Sequence, residues 1–229
     1  MKKVSVCIPA YSMKGQGTNF LQRNLSSIFV QSVQPYEVII SDHSLDRNLE
    51  NVAESWKRFL NIKYLRNEQG RGSIAANLNN CIANATGDII DYMFQDDFYY
   101  SPISIQKRIE TLGEANWSLT GSIHFNQNKR EFYWHLVPAY RPDTYLGVNT
   151  IGPPSVLSVK REGAPLFDES LFLLIDCDYF TQLFNKFGPP KITPDITAVS
   201  CTWDGQSQRN PLASLEKEKL ITKSKYEKS

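Results

Sequence analysis

Histidine is scarce in this chain, and what cysteine it has stands far apart. His43, His124 and His135 show no metal-ligand spacing, and Cys7, Cys81, Cys177 and Cys201 form no C-x-x-C pair. A zinc site and a disulfide framework are both disfavoured, and a reducing compartment suits the pattern. An excess of one charge is also missing. The 25 Lys and Arg against 24 Asp and Glu leave +1, which gives no basic surplus to recruit nucleic acid. No stretch approaches the roughly 18 apolar residues of a membrane span, and Met1-Lys2-Lys3 runs straight into a strand pattern rather than a signal peptide. The expectation is a cytoplasmic protein with no transmembrane segment, peripheral contact with a membrane being left open. Internal repeats and low-complexity tracts are absent from the sequence as well.

What is present is a core-forming composition. A 41% hydrophobic and 12% aromatic fraction over 229 residues is enough for one substantial α/β domain. Strand and helix patterns alternate through the first half. Val4–Ile8 reads as a buried strand ended by Pro9, Asn19–Gln31 as a helix, and Tyr36–Ser41 as a strand closing on Asp42. A helix through Val52, Trp56, Phe59 and Leu60 follows, then a short strand Ile62–Leu65, a helix Gly72–Ala85 and a strand Ile89–Phe94. This order predicts a mostly parallel, doubly wound sheet flanked by helices. The second half predicts a helix Pro102–Ala115 capped by Ser101, mixed strands and long loops over Trp117–Val159, a helix Asp176–Phe187 and a strand Ile192–Thr202. We expect a single domain over 1–210, with a nucleotide-binding half to about residue 100 and a mixed half after it. Residues 211–229 read as an amphipathic helix or tail, with Leu212, Leu215, Leu220 and Ile221 on its apolar side.

The most chemical stretch is Asp88-Ile89-Ile90-Asp91-Tyr92-Met93-Phe94-Gln95-Asp96-Asp97. An apolar strand delivers two adjacent carboxylates at its carboxyl end, where open α/β sheets bind ligands. Like charges side by side repel unless a cation or ligand uses them. Two hard oxygen donors suit Mg²⁺ or Mn²⁺ held together with substrate phosphates.

Further local signals fall in a fixed order. Val4-Ser5-Val6-Cys7-Ile8-Pro9-Ala10-Tyr11 opens the chain, and Glu37-Val38-Ile39-Ile40-Ser41-Asp42 closes the second strand. Asn67-Glu68-Gln69-Gly70-Arg71-Gly72-Ser73 leads to Ala76-Asn77, Gln95-Asp96-Asp97 follows the fourth strand, and Phe167-Asp168-Glu169 precedes Ile175-Asp176-Cys177-Asp178. Together these resemble glycosyltransferase family 2, inverting enzymes of the GT-A fold that use nucleotide-diphosphate sugars, over roughly residues 4–206. The resemblance implies a Rossmann-like sheet, a donor that is most often a UDP-sugar, a glycan or other hydroxyl acceptor, and a Mn²⁺ or Mg²⁺ cofactor. It places Pro9, Ala10, Tyr11, Asp42, Arg71, Asn77, Gln95 and Asp96 around the nucleotide, Asp97 on the metal, and Asp176 as the general base, with Asp178 as second choice. Pro154, Ser155, Asp178 and Trp203 become candidate lining residues. Trp203 stands where the family often has a histidine, and Ile175 where it has an acid; Asp204 is either a substitute metal ligand or a turn residue.

Plainer readings stand beside these. Tyr11 is also an ordinary packed loop residue, Asp42 a turn acid, Asn77 a hydrogen-bond strap, and Asp176 or Asp178 a helix N-terminal acid. A non-catalytic nucleotide-sugar or glycan-binding module on the same fold is the main alternative function. A glycoside hydrolase and a sugar nucleotidylyltransferase fit less well, because Pro9-Ala10-Tyr11-Ser12 lacks the Gly-rich basic segment of the latter. Oligomeric state is open; the C-terminal helix offers a surface for a homodimer.

Overall fold

The computed structural model describes residues 2–69, 71–206 and 212–227. Gly70 of the glycine pair and the expected boundary at 210/211 lie outside the described residues.

Every residue of β1 (Val4–Ala10) is buried, which requires cover on both faces of the sheet. Val4, Val6, Ile8 and Ala10 pack in one apolar layer with Leu21, Leu25 and Ile28 of α1 (Gly17–Phe29). Cys7 points the other way, toward Leu78 and Cys81 of α3 (Ile74–Asn84). Pro9 does not end the strand. It pairs with Ser41 of β2 (Glu37–Asp42) as the ladder continues to Ala10 and Asp42. α2 (Asn48–Trp56) leads to β3 (Ile62–Arg66), which adds in parallel to β2, and β4 (Ile89–Tyr92) adds in parallel to the far side of β1.

Beyond β4 the sheet becomes mixed. β8 (Leu157–Lys160) runs antiparallel to β4, β6 (Trp117–Asn126) antiparallel to β8, and β9 (Lys191–Thr202) parallel to β6. β5 (Phe98–Tyr99) closes that edge on β9, and β7 (Glu131–Leu136) forms a hairpin with β6. The order along the sheet is β3-β2-β1-β4-β8-β6-β9-β5. The expected parallel half and mixed second half are both present.

α4 (Ser104–Leu112) is shorter than its apolar pattern suggested, and Ser101 is not its cap. The bond runs the opposite way: the Ser101 N–H donates to the Ser104 hydroxyl at 3.0 Å. α5 (Ile175–Phe187) ends at Gly188, whose φ of +77° a side chain would strain. α6 (Leu212–Tyr226) is helical as expected, but its docking is polar. Leu220 is 68% exposed, while Glu218 and Thr222 are buried. No described helix is long and apolar enough to cross a membrane.

Candidate active site

A cleft of about 260 Å³ opens beyond the carboxyl ends of the parallel strands, with Tyr11, Phe94, Asp96, Asp97, Asp176 and Trp203 among its walls. The local chain path explains why its floor is tight. After β1 the backbone turns through Met13 and Lys14 at φ 44° and 54°, then enters α1 at Gly17, where a Cβ would stand 2.5 Å from the Tyr11 carbonyl. Gln95 holds this turn to the tip of β4. Its Oε1 accepts from the Tyr11 N–H at 2.9 Å, and its Nε2 donates to the Gly17 carbonyl at 2.8 Å.

The two carboxylates at the tip are buried side by side. Asp97 Oδ1 accepts from the Cys201 N–H at 2.8 Å and Oδ2 from the Ser155 hydroxyl at 2.5 Å. Asp96 Oδ2 accepts from Trp203 Nε1 at 2.9 Å and Gln206 Nε2 at 3.2 Å. Burial, then the charge of Asp96, raises the pKa of Asp97; burial also raises that of Asp96. Arg23 opposes both shifts through its positive charge. Its guanidinium is nonetheless committed elsewhere, to the Asp96 carbonyl at 2.7 Å and to Gln127 at 2.6 Å. The site therefore gains from added positive charge. Each Asp97 oxygen retains a lone pair beyond its hydrogen bond, and hard carboxylate donors beside a diphosphate suit Mg²⁺ or Mn²⁺, so the residues fit such an ion. Among the described residues, no cluster of three His, Cys, Asp or Glu forms a metal cage.

Asp176 reaches the same cleft from the first turn of α5. Its Oδ1 is sealed from solvent and has no hydrogen-bond partner. Burial raises its pKa to about 7. Asp178, two residues on, is directed away. Its carboxylate takes bonds from Gln182, Lys225 and Tyr226 at 2.8 Å each, so the expectation that it lines the cleft does not hold.

Several other expected contacts turn out to be internal struts. Asp42 is fully buried, with Oδ1 bound by Ser44 N–H and hydroxyl at 2.8 and 2.5 Å and Oδ2 by the Tyr64 hydroxyl at 2.5 Å. Arg66 stands 3.5 Å from the same Oδ2, and with no exposed surface Asp42 presents nothing to a nucleobase. Asn77 is likewise spent, donating to the Ala10 carbonyl and His43 Nδ1 and accepting from Ser41 and Asn67. His43 faces the cavity beside Tyr11, their ring centroids 5.4 Å apart, together with Pro9, Ala10, Gln95 and Asn77, the last lining it with its polar atoms already bonded. Arg71 lies on the outer rim with Tyr11 and His43, 3.5 Å from Glu68. In the 152–155 loop the cleft wall is Pro153; Pro154 and Ser155 are buried behind it. Trp203 lines the cleft, whereas Asp204 falls in the turn after β9.

Four contributors were not singled out from sequence. Gln206 and Ser200 belong to the cleft wall. Arg108 is fully buried on α4 and pairs with Asp91 at 2.8 Å, donates to Thr197 at 2.8 Å and also donates to the Ser155 carbonyl. It thereby anchors the residue whose hydroxyl holds Asp97. A buried pair of this kind serves specificity of placement more than net stability.

The fourth is Glu218 of α6. Its carboxylate receives the N–H groups of Phe172, Leu173 and Leu174 at 3.1, 2.8 and 2.9 Å, fixing the entry to α5 just before Asp176. Glu218→Gln leaves one acceptor for three donors and turns an amide toward them. The expected cost is about 2 kcal/mol, read as a lower urea midpoint at unchanged m-value. A loss below about 0.5 kcal/mol, typical of surface positions, would contradict the strut.

This arrangement, an acidic strand tip beside a cleft at the carboxyl edge of a half-parallel, half-mixed sheet, defines the GT-A class of α/β fold. Residues 5–162 match Glycosyl transferase family 2, and the chain belongs to that family. No match to a curated protein was found. Among solved structures, S. aureus TarS 1-349 in complex with UDP-GlcNAc aligns with TM-score 0.70 and 18% identity, over 91% of this chain and 61% of that one. A second S. aureus TarS structure aligns at 0.67 and 17%, over 87% of this chain and only 37% of that one. The mannosyltransferase PcManGT from Pyrobaculum calidifontis, in complex with GDP-Man and Mn²⁺, aligns at 0.61 and 17%, over 89% and 58%. These likenesses establish the fold.

Proposed function

We propose that the chain transfers a sugar, with inversion, from a nucleoside-diphosphate donor to a hydroxyl acceptor. The observation that carries this reading is Asp176: a carboxylate with a sealed, partnerless oxygen, facing the same cleft as Asp96 and Asp97. A buried acid at about 7 is matched to taking a proton near neutral pH. Asp176 removes the proton of the acceptor hydroxyl as its oxygen bonds to the anomeric carbon. The bond from that carbon to the diphosphate oxygen breaks on the opposite face, and the nucleoside diphosphate leaves with the electron pair. The ring of Tyr11, with His43 5.4 Å away and tilted 46° to it, offers an aromatic face for the base. Asp97 would hold the divalent cation, which when bound offsets charge on the diphosphate. UDP is the preferred nucleotide, in keeping with the family and with the UDP-GlcNAc complex of TarS.

A thermal-shift panel of UDP- and GDP-sugars, with and without Mn²⁺, tests the donor. At 100-fold excess over Kd, binding adds about 2.7 kcal/mol, roughly 5–10 °C for a chain of this size. The shift is expected only when nucleotide and Mn²⁺ are both present. A flat panel would end the proposal.

A further inference from the structure

The β6–β7 hairpin carries rings that the cleft chemistry leaves unexplained. Phe132, Tyr133 and Trp134 are 54%, 38% and 63% exposed on a strand that pairs only with β6. Clustered exposed aromatics on a folded domain mark a contact surface. The hairpin is also irregular at one point. Its register shifts between Ile123 and His124, leaving Trp134 as an extra residue with φ of 41°. A bulky side chain rarely adopts that conformation without being held there.

His124 holds it. Its Nδ1–H donates to the Trp134 carbonyl at 3.1 Å, and the indole stacks on the imidazole with centroids 5.0 Å apart and planes 15° from parallel. Tyr133 packs on the same imidazole at 5.5 Å, and its hydroxyl bonds Thr202 Oγ1 at 3.1 Å. Bulges of this kind re-aim side chains and are frequent beside active sites.

The bulge is continuous with the cleft. His124 is the ladder partner of Tyr133 on β7 and of Ser200 on β9, and partners across a sheet project to one face. Ser200 is itself a cleft wall, and Trp203 follows directly after Thr202. Tyr133, His124 and Ser200 thus form one row running from the hairpin to the donor cavity.

We propose that this hairpin face is an acceptor subsite that binds a pyranose ring of a glycan, stacked on Trp134, with Tyr133 and His124 bonding hydroxyls at its rim. The inference rests on the transferase reading above and names the acceptor class. A pyranose has a flat C–H face and a rim of hydroxyls, and the patch offers the complement: flat rings interleaved with a phenol, an imidazole and a threonine hydroxyl. A lipid chain or an apolar helix would cover the same rings but leave unmatched the hydrogen-bonding capacity that His124 Nε2 and the mutually bonded Tyr133 and Thr202 hydroxyls retain. Lys129 pairs with Glu131 at 3.7 Å, which leaves Arg130 as the single net charge of the hairpin turn, a small handle for a strongly charged partner.

The test uses the full chain and four neutral tetrasaccharides: cello-, malto-, chito- and mannotetraose. The chain has four tryptophans, and the indole N–H signal of Trp134 is the one lost in Trp134→Phe. At least one saccharide is expected to shift that signal. Trp134→Ala should weaken binding of the same saccharide roughly tenfold, while Trp134→Phe, which keeps a ring, stays within about threefold. The Mn²⁺-dependent UDP-sugar shift is followed in parallel, so a failure of the donor reading shows separately from a failure of the subsite. Silence of the Trp134 signal with all four saccharides would overturn the subsite, as would equal affinity in Trp134→Ala. So would concentration-dependent self-association abolished by Trp134→Ala, which would make the hairpin a protein interface.

Discussion

Asp176→Asn is expected to cut kcat by roughly 10²- to 10⁴-fold, the usual worth of a positioned base, while leaving the donor-induced rise in melting temperature intact. The split follows from the proposed roles: Asp176 enters the cleft from α5 to serve the acceptor, whereas Asp96 and Asp97, proposed to serve the donor, come from the tip of β4. In the unsubstituted chain, log kcat should climb with pH and level off above about 7, where burial places the Asp176 pKa. Stability should move the other way. The folded state holds the proton to about 7, whereas the unfolded chain releases it near 3.8. Between those values the folded form binds more protons, so this residue's contribution falls as pH rises, and its full cost is present above 7. Asp176→Asn should therefore raise the melting temperature at pH 8 but scarcely at pH 4. A base removed for function and a buried charge removed for stability give opposite signs from one substitution. If the Asn variant turns over at most of the original rate, Asp176 is not the base; if the unsubstituted chain binds donor but transfers nothing, the non-catalytic binding module becomes the better account.

Much of the fold could be read from periodicity because its first half obeys one rule. Runs such as Val4–Ile8 and Ile89–Tyr92 are apolar throughout, as only doubly covered strands are, and the helices between them repeat every three to four residues. The gathering of Tyr11, Asp96, Asp97, Asp176 and Trp203 around one cleft is expected from the family resemblance, and its physical basis is that each follows a strand end or opens a helix on the same edge. What stayed hidden was saturation. Asp42, Asn77 and Ser155 stand at plausible ligand positions, yet their polar atoms are filled by Ser44, Tyr64, Ser41, Asn67 and Asp97. Nothing in a linear pattern reveals partners that distant or that specific. The C-terminal helix misled in the opposite sense. Its leucines suggested an apolar stripe, but it is fastened by Glu218, Lys225 and Tyr226, and a polar clamp has no period to detect.

The other large effect is expected at Asp97. Asp97→Ala should lower kcat/KM by roughly 10³-fold, the order that several kcal/mol of charge stabilisation represents. The substitution also strips the acceptors from the Ser155 hydroxyl and the Cys201 N–H, leaving buried donors unpaired, so activity alone cannot separate lost chemistry from a loosened wall. Asp97→Asn resolves this. It keeps one carbonyl oxygen for a donor and nearly the same shape, but removes the negative charge. Both variants should bind UDP-sugar with an affinity that no longer responds to Mn²⁺, whereas the unsubstituted chain should bind more tightly as Mn²⁺ is added and lose that gain with EDTA. The Asn substitution also removes a charge that burial and the neighbouring Asp96 make costly in the folded state once Asp97 ionises, at about pH 8. The Asn variant should then melt higher than the unsubstituted protein at pH 8 in EDTA and lower once donor and Mn²⁺ are supplied. That crossing of the two melting curves is what a carboxylate kept for a cation requires: without its counter-charge it weakens the fold, and with it the site closes on the donor. If donor affinity in Asp97→Asn still rises with Mn²⁺ as it does in the unsubstituted chain, the ion is held elsewhere and Asp97 is only part of the wall.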